Sequence, residues 1–414
     1  MLLLSAGCGQ PANGTLTGTE ASLSGTPAPE AGTDATVNPS TSSMSDSSTS
    51  TSTDDAKPLP DAATPADRAV LLYETILSRY AVKGMDLYLE RYPAQSEDNA
   101  FSYLWPLSEL LSATNALGRL PGREDAYRAD LAAILKSIDA YRDTVRKPPA
   151  YQAYPADFSS SVRYYDDNLW LGLDFVIAYR QTGDSQYLDL AKEIMTFAQS
   201  GWTEQLGGGI FWCEAKKKSK NTCSNGPAAV LALELYQETQ DTTYLEWGKK
   251  IYNWTRKNLQ APDGLYWDNI SLEGTVDKAT YAYNCGTMIQ AAVLLHTITG
   301  KAGYLTEAQR VAKVSFEHFT TTDPDGTVFF PPKDPWFTIV LFRGYRDLYA
   351  ADGKADYMQA AVANLDYAWT HARDENGLIG RDWSGRTQED LVAKHLLDEA
   401  CLVEGYGMAA GFQP

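Results

Sequence analysis

A short string that ends in Tyr and an aliphatic residue recurs along this chain at nearly even intervals. The clearest copies read TGDSQYL, TQDTTYL and TGKAGYL and contain Tyr187, Tyr244 and Tyr304, and looser copies contain Tyr127 and Tyr357. Successive tyrosines are 60, 57, 60 and 53 residues apart. Apolar residues at helical spacing flank the copies, the glycine suits a helix C-cap, and the Asp or Thr after it suits the next N-cap. The repeat therefore predicts a helical hairpin.

Counted along the chain, the hairpins give twelve helices, of which the first and third are predicted at 66–91 and 123–146. One set of helices is apolar nearly all round, as in 169–178, 228–235 and 288–295, which is typical of helices buried on every side. The other set keeps a charged face. Six buried helices surrounded by six amphipathic ones form an (α/α)6 barrel, and a closed ring needs no capping repeats at its ends. We therefore predict an all-α fold of this type, a toroid of six helical hairpins.

The amino-terminal segment has a different composition. The chain has 10 Trp, 25 Tyr and 12 Phe, yet none of them precedes Tyr73. Residues 1–8 read MLLLSAGC and are similar to a bacterial lipoprotein signal with a truncated start, the alternative being an accidental Cys8 in a disordered leader. Residues 9–65 are rich in Ser, Thr and Pro and cannot offset their own ordering entropy, so we predict a disordered tether there. The folded domain is predicted over 66–414.

Charge and cysteine usage exclude several classes of partner and cofactor. The formal net charge of −18 repels phosphate backbones and disfavours nucleic-acid binding. No apolar run long enough to span a membrane follows residue 65, so we expect membrane contact only through a lipid on Cys8. The four His lack zinc-binding spacing and no CxxC pair occurs, so we predict neither a metal nor another cofactor. A Cys213–Cys223 disulfide and buried free thiols are both compatible with the sequence.

The loops that enter the buried helices combine aromatic residues with Asn, Asp and Lys. Aromatic rings present flat faces to the C–H sides of sugars while amides and carboxylates bind hydroxyls, so these loops predict a carbohydrate cleft at one end of the ring. Asp166 and Asp167 are the most specific feature among them. Two acids before an apolar helix can simply cap its amino end. They can also be the carboxyl pair of a glycosidase, in which one carboxyl is ionised and the other keeps a proton.

Three motifs make the chain similar to glycoside hydrolase family 76, the bacterial endo-α-1,6-mannanases and their fungal relatives. They are YDDNLW at 165–170, GGGIFW at 207–212 and KNTCSN at 220–225, and the resemblance extends over 66–414. It implies a catalytic domain over that range and a retaining reaction in which Asp166 is the nucleophile and Asp167 the acid/base. It also implies α-1,6-linked mannan as the polysaccharide substrate.

We accordingly predict a monomeric, extracellular or cell-surface lipoprotein that cleaves α-1,6-mannosidic bonds with retention, preferably inside the chain. A transglycosidase of the same fold and a non-catalytic glycan-binding lipoprotein are the alternatives. The residues expected to bind substrate lie in the mouth loops and the first turns of buried helices: Tyr165, Trp170, Trp212, Lys220, Asn221, Asn225, Tyr283 and Asn284.

Overall fold

The computed structural model describes residues 62–324, 326–330, 334–386 and 393–414. The signal predicted over 1–8 and nearly all of the tether predicted over 9–65 lie outside these residues. Within them the helices are α1 (Pro65–Tyr80), α2 (Leu104–Leu117), α3 (Glu124–Asp139), α4 (Tyr165–Thr182), α5 (Ser185–Ser200), α6 (Thr222–Thr239), α7 (Thr242–Leu259), α8 (Ala282–Thr299), α9 (Ala302–Phe319), α10 (Pro335–Asp352), α11 (Asp356–His371) and α12 (Leu396–Gly411).

The even-numbered helices form a closed inner ring. They contact one another in the order α2, α4, α6, α8, α10 and α12, and α12 packs back against α2. Each odd-numbered helix lies outside this ring, with α1 packed on α12, α3 on α2, and α5, α7, α9 and α11 on α4, α6, α8 and α10. The predicted (α/α)6 barrel is confirmed. No helix of the described residues is long and apolar enough to cross a bilayer.

The repeated string forms the turn from an inner helix to an outer one. Gly183, Gly300 and Gly353 follow α4, α8 and α10 with φ near +70°, a left-handed conformation that glycine adopts without strain, and each N–H donates to the carbonyl four residues back. Asp184 and Asp241 then accept a hydrogen bond from the backbone two residues on and cap α5 and α7. Because every such turn lies at one end, the inner helices all begin at the opposite end, which we call the mouth.

Two predicted helix boundaries are wrong, and short strands replace the missing helix ends. The helix predicted at 66–91 ends at Tyr80, and the one predicted at 123–146 ends at Asp139, ahead of turns that contain Gly84 or Pro148. The strands are β1 (Arg91–Tyr92), β2 (Arg142–Asp143), β3 (Ala150–Tyr151), β4 (Ser219–Asn221), β5 (Trp267–Ser271), β6 (Val276–Thr280), β7 (Thr321–Thr322), β8 (Val328–Phe329) and β9 (Lys394–His395). All pair antiparallel, and β4, β5 and β6 form a three-stranded sheet beside the mouth.

The fourth residue of several inner helices fastens a mouth loop. Asn168 in α4 exchanges two hydrogen bonds with the backbone of Tyr151, at 2.7 and 2.8 Å. Asn225 in α6 does the same with Ile210, at 2.8 and 2.9 Å. The carboxyl of Glu399 in α12 accepts from the N–H groups of Ile379 and Gly380. These buried bonds hold the loops in fixed positions over the inner-helix ends.

Candidate active site

The second residues of five inner helices converge at the mouth. One group consists of Trp105, Trp336 and Tyr283. The ring centroid of Trp336 lies 5.0 Å from that of Trp105 and 5.7 Å from that of Tyr283. Asp166 and Cys223 form the other, with Asp166 Oδ2 3.3 Å from Cys223 Sγ. Because the same helix position is used each time, the ring geometry itself directs these side chains towards the barrel axis.

Asp166 lies in the first turn of α4 with 2% of its surface exposed. Its Oδ2 accepts a hydrogen bond from the indole Nε1 of Trp212 at 3.0 Å. Burial raises the pKa of Asp166, while the backbone N–H groups of Asp166 and Asp167 and the Trp212 indole oppose that rise. The surroundings of this carboxyl therefore contain donors that favour its ionised form.

Asp167 is equally buried but differs in its partners. No residue in the described part of the chain donates a hydrogen bond to its carboxyl, and its pKa is raised well above the ordinary range by burial and then by the charge of Asp166. Of the two adjacent carboxyls, Asp167 is thus the one that retains a proton more strongly. The difference arises from the Trp212 and backbone donors, which only Asp166 has.

A third buried carboxyl, which sequence reasoning missed, belongs to Asp268 in β5. It is 1% exposed, and its Oδ2 accepts from Asn269 Nδ2 at 2.7 Å. Among the described residues its Oδ1 is buried without a hydrogen-bond partner. Burial raises the pKa of Asp268 to about 7, and its charge raises the pKa of Asp166 and of Tyr283. The sequence signal was its position after Tyr266 and Trp267 in a mouth loop.

Aromatic residues pack close to the carboxyls. Trp170, one turn below Asp166 in α4, packs edge-on against Trp336 at 5.0 Å. Trp212 is half-buried and packs on Tyr164 at 4.9 Å. Both tryptophans expected from the sequence therefore lie next to the catalytic candidates.

Tyr283 and Asn284 are fully buried at the start of α8. Within the described residues, neither the Tyr283 hydroxyl nor the Asn284 amide has a hydrogen-bond partner. Asn221 lies at the end of β4, where its Oδ1 accepts from Ser219 Oγ at 2.7 Å. The Tyr283 hydroxyl and the Asn284 amide thus keep hydrogen-bonding capacity that no described residue uses, and the charges of Asp268 and Asp166 act on Tyr283.

Three expected substrate-binding residues make contacts within the protein. The fully buried Lys220 donates its ammonium hydrogens to the carbonyls of Thr203, Gln205 and Gly208, and so fastens the glycine-rich loop. The amide of Asn225 is occupied by the backbone bonds already described, and the ring of Tyr165 stacks on Phe197 between α4 and α5. Residue type and loop position suggested the cleft, but the direction of each side chain could not be read from the sequence.

Trp336 is held in place by a buried group of charged side chains. Glu109 Oε2 accepts from Trp336 Nε1 at 2.6 Å and from Arg343 at 3.1 Å, and Arg343 also donates to Glu404 at 2.7 Å. These charges belong to α2, α10 and α12, so the network joins three inner helices beneath the mouth.

The two nearby cysteines are not bridged to each other. Cys213 is a buried free thiol in the structure, so a disulfide between it and Cys223 is excluded. Burial raises the pKa of the Cys213 thiol, which favours its protonated form.

The chain is similar to known glycoside hydrolases in sequence and in fold. The sequence model of glycosyl hydrolase family 76 matches residues 67–384. A crystal structure of a family 76 glycoside hydrolase from a bovine Bacteroides thetaiotaomicron strain superposes with a TM-score of 0.79 and 32% identity, covering 84% of this chain and 78% of that one.

Two further relatives are described by their substrates. An α-1,6-mannanase of Salegentibacter sp. HEL1_6, in a variant inactivated by replacing two consecutive aspartates and bound to α-1,6-mannotriose, has a TM-score of 0.69 and 27% identity over 84% of this chain and 99% of that one. The mannan endo-1,6-alpha-mannosidase DCW1 of Saccharomyces cerevisiae is 25% identical over 213 residues, 46% of either chain. The match thus spans just under half the length of that curated relative.

Proposed function

The chain belongs to glycosyl hydrolase family 76, and from this premise we propose that it is an endo-acting, retaining glycosidase that cleaves α-1,6-mannosidic bonds in mannan. The observation that carries the proposal is the pair of adjacent, buried carboxyls at the mouth, whose surroundings favour different protonation states. It is supported by the Salegentibacter mannanase, in which replacement of two consecutive aspartates gave an inactive variant.

In the proposed reaction the Asp166 carboxylate attacks the anomeric carbon of a mannosyl residue. Asp167 donates its proton to the departing O6 of the next sugar, so the glycosidic bond breaks and a mannosyl ester of Asp166 forms. Asp167, now a carboxylate, then takes a proton from water, and the hydroxide oxygen bonds to the anomeric carbon as the ester bond breaks. Two inversions at one carbon give net retention of configuration.

The surrounding groups have defined parts in this scheme. The Trp212 indole holds Asp166 by its Oδ2 and stabilises the ionised nucleophile. Asp268, with a buried oxygen that no described residue bonds, would accept hydrogen bonds from hydroxyls of the sugar under attack. The half-buried ring of Trp212 packs against sugar C–H groups and helps to exclude water from the reacting bond.

An attack inside the polymer requires a cleft that is open on both sides of the catalytic pair. Half-buried aromatic residues lie on both sides: Tyr103 and Tyr154 towards the loop before α4, and Tyr281 and Phe337 at the start of α8 and α10. This distribution supports endo action. We also propose an extracellular or cell-surface location with a lipid on Cys8, which labelling of the full chain and of Cys8→Ser with a radioactive fatty acid would test.

The decisive experiment incubates the purified protein with debranched α-1,6-mannan and records product sizes and the first-formed anomer by NMR. Internal cleavage with an α-configured product is expected. Sugar transfer to an added acceptor in preference to water would instead identify a transglycosidase, and binding without any turnover would identify a glycan-binding protein. Either outcome overturns the hydrolase proposal.

Substitutions separate the two carboxyl roles. With an aryl mannoside whose leaving group needs no proton, Asp167→Asn is expected to form the glycosyl-enzyme and release a burst of phenol, whereas Asp166→Asn is expected to be inert. The matched control is Asp189→Asn on the outer helix α5, where the side chain is 70% exposed. A burst from Asp166→Asn, or none from Asp167→Asn, would reverse or refute the assignment.

A further inference from the structure

A row of aromatic rings leads away from the catalytic pair along one side of the mouth. It begins at Trp212, whose indole bonds to Asp166, and continues through Tyr103 and Tyr154 to Phe158. Trp212, Tyr103 and Tyr154 are half-buried, and Phe158 is 54% exposed. We call these four residues the aromatic track.

Two buried rings support the track from behind and make it continuous. Tyr164, 7% exposed, packs on Trp212 at 4.9 Å and belongs to the same apolar cluster as Tyr103. Phe101, 5% exposed, lies 6.2 Å from Tyr154 and 4.6 Å from Phe158. Tyr103 and Tyr154 themselves meet edge-on at 5.6 Å. Tyr164 and Phe101 thus connect the members of the track through ring contacts.

The loop that carries Tyr154 and Phe158 is held rigidly. The buried amide of Gln152 donates to the carbonyls of Tyr154 and Ser159, at 2.8 and 2.7 Å, and its oxygen accepts from the backbone of Ser161. The Tyr154 hydroxyl also accepts from the N–H of Phe101. An exposed ring on a fixed loop loses little conformational entropy when it binds, which favours a binding role over chance exposure.

We propose that the aromatic track binds the continuing α-1,6-mannan chain several sugars away from the bond that is cut. This inference rests on the proposed function and names the surface that makes the enzyme prefer polymer over short oligosaccharides. The track presents ring faces and edges without a charged group among its four members, which suits a neutral sugar chain. By the usual strength of aromatic contacts, each exposed ring contributes roughly 2- to 10-fold to binding.

The test compares kcat/KM on long linear α-1,6-mannan with kcat/KM on α-1,6-mannotriose. For Phe158→Ala and Phe158→Leu, the polymer-to-trisaccharide ratio is expected to fall roughly 2- to 10-fold, and Phe158→Trp is expected to restore it. Tyr154→Ala should lower the ratio in the same direction. The matched control is Phe412→Ala, which removes a ring that packs on Tyr349 beyond the carboxyl end of α12, on the opposite face of the barrel.

The outcomes separate this inference from the proposed function. A wild-type ratio in Phe158→Ala, or an equal fall in Phe412→Ala, overturns the track while leaving the mannanase proposal intact. A wild-type polymer-to-trisaccharide ratio in Phe158→Leu also overturns it, because an apolar side chain without a ring would then suffice. If the wild type cleaves neither substrate, the proposed function fails. Affinity electrophoresis of wild type and Phe158→Ala in gels containing the same mannan then decides the track, since equal mobility would refute it.

Discussion

The hydrogen bond from Trp212 to Asp166 is the clearest control over the protonation state of the proposed nucleophile. We predict that Trp212→Phe, which keeps the ring and removes the donor, raises the pKa of Asp166. Nε1 and Oδ2 are 3.0 Å apart, and Asp166 is 2% exposed, so water replaces the lost donor poorly. A bond to a charged group contributes about 1.5–3 kcal/mol, and one pKa unit corresponds to about 1.4 kcal/mol. The expected rise is therefore about 1–2 units.

The sign of the effect on catalysis follows directly. A donor stabilises the ionised carboxylate, so its loss means that Asp166 stays protonated, and inactive as a nucleophile, to a higher pH. The acid limb of the kcat/KM profile, which reports the free enzyme, is expected to move up by about 1–2 pH units. The two carboxyls titrate as a pair, so the limb belongs to the pair and not to one residue.

The assay is the pH dependence of kcat/KM for α-1,6-mannotriose, measured for wild type, Trp212→Phe and a matched control. Trp254→Phe is that control, because its indole donates to the Leu206 carbonyl at 3.1 Å and not to a carboxylate. An acid limb that does not move in Trp212→Phe, or that moves equally in Trp254→Phe, would refute the reasoning. A uniform loss of rate at all pH values would show that Trp212 acts only through sugar stacking.

Three further changes have expected outcomes. Burial raises the pKa of Asp167, so ionisation of its carboxyl destabilises the folded protein at pH values above the unfolded-state pKa. Asp167→Asn should therefore raise Tm in calorimetry, more at pH 8 than at pH 5. A Tm gain independent of pH would contradict this. Lys220→Met leaves three loop carbonyls without this donor and should lower the free energy of unfolding by about 1–3 kcal/mol or more in urea titrations, with Lys257→Met on the surface as control. Gly286→Ala places a Cβ 2.3 Å from the carbonyl oxygen of Val340 and should destabilise the α8–α10 contact by about 1–3 kcal/mol or more, whereas the open site of Gly303 should tolerate Ala.

The repeat determined most of the fold because a hairpin is a local structure. Glycine turns, N-caps and apolar faces near Tyr187 and Tyr304 depend on neighbouring residues, so their period could be converted into helices. The early ends of α1 and α3 could not be predicted in this way, because the helical pattern continues into segments that contain prolines and instead form turns and short paired strands. The pairing of α1 with α12 likewise depends on closure of the whole ring.

The candidate site, too, could be predicted from the sequence only in part. Asp166, Asp167 and Trp212 stand in motifs, and the position of the two aspartates at the start of α4 follows from the chain order. The direction of Lys220 and Tyr165 depends on which carbonyls or rings the folded loop presents, and no local pattern encodes that. Asp268 lies about one hundred residues from the aspartate pair in sequence, so only the ring brings them together.

The contact between α1 and α12 also sets the order in which the chain can fold. These helices are separated by more than three hundred residues, and α2 must likewise await α12 before its second inner neighbour exists. In a chain still bound to the ribosome, the apolar surfaces of α1 and α2 that α12 covers therefore stay exposed until the last helix emerges. Loss of only that final helix would uncover α1, α2 and α10, so truncation at the carboxyl end should favour aggregation over a smaller active barrel.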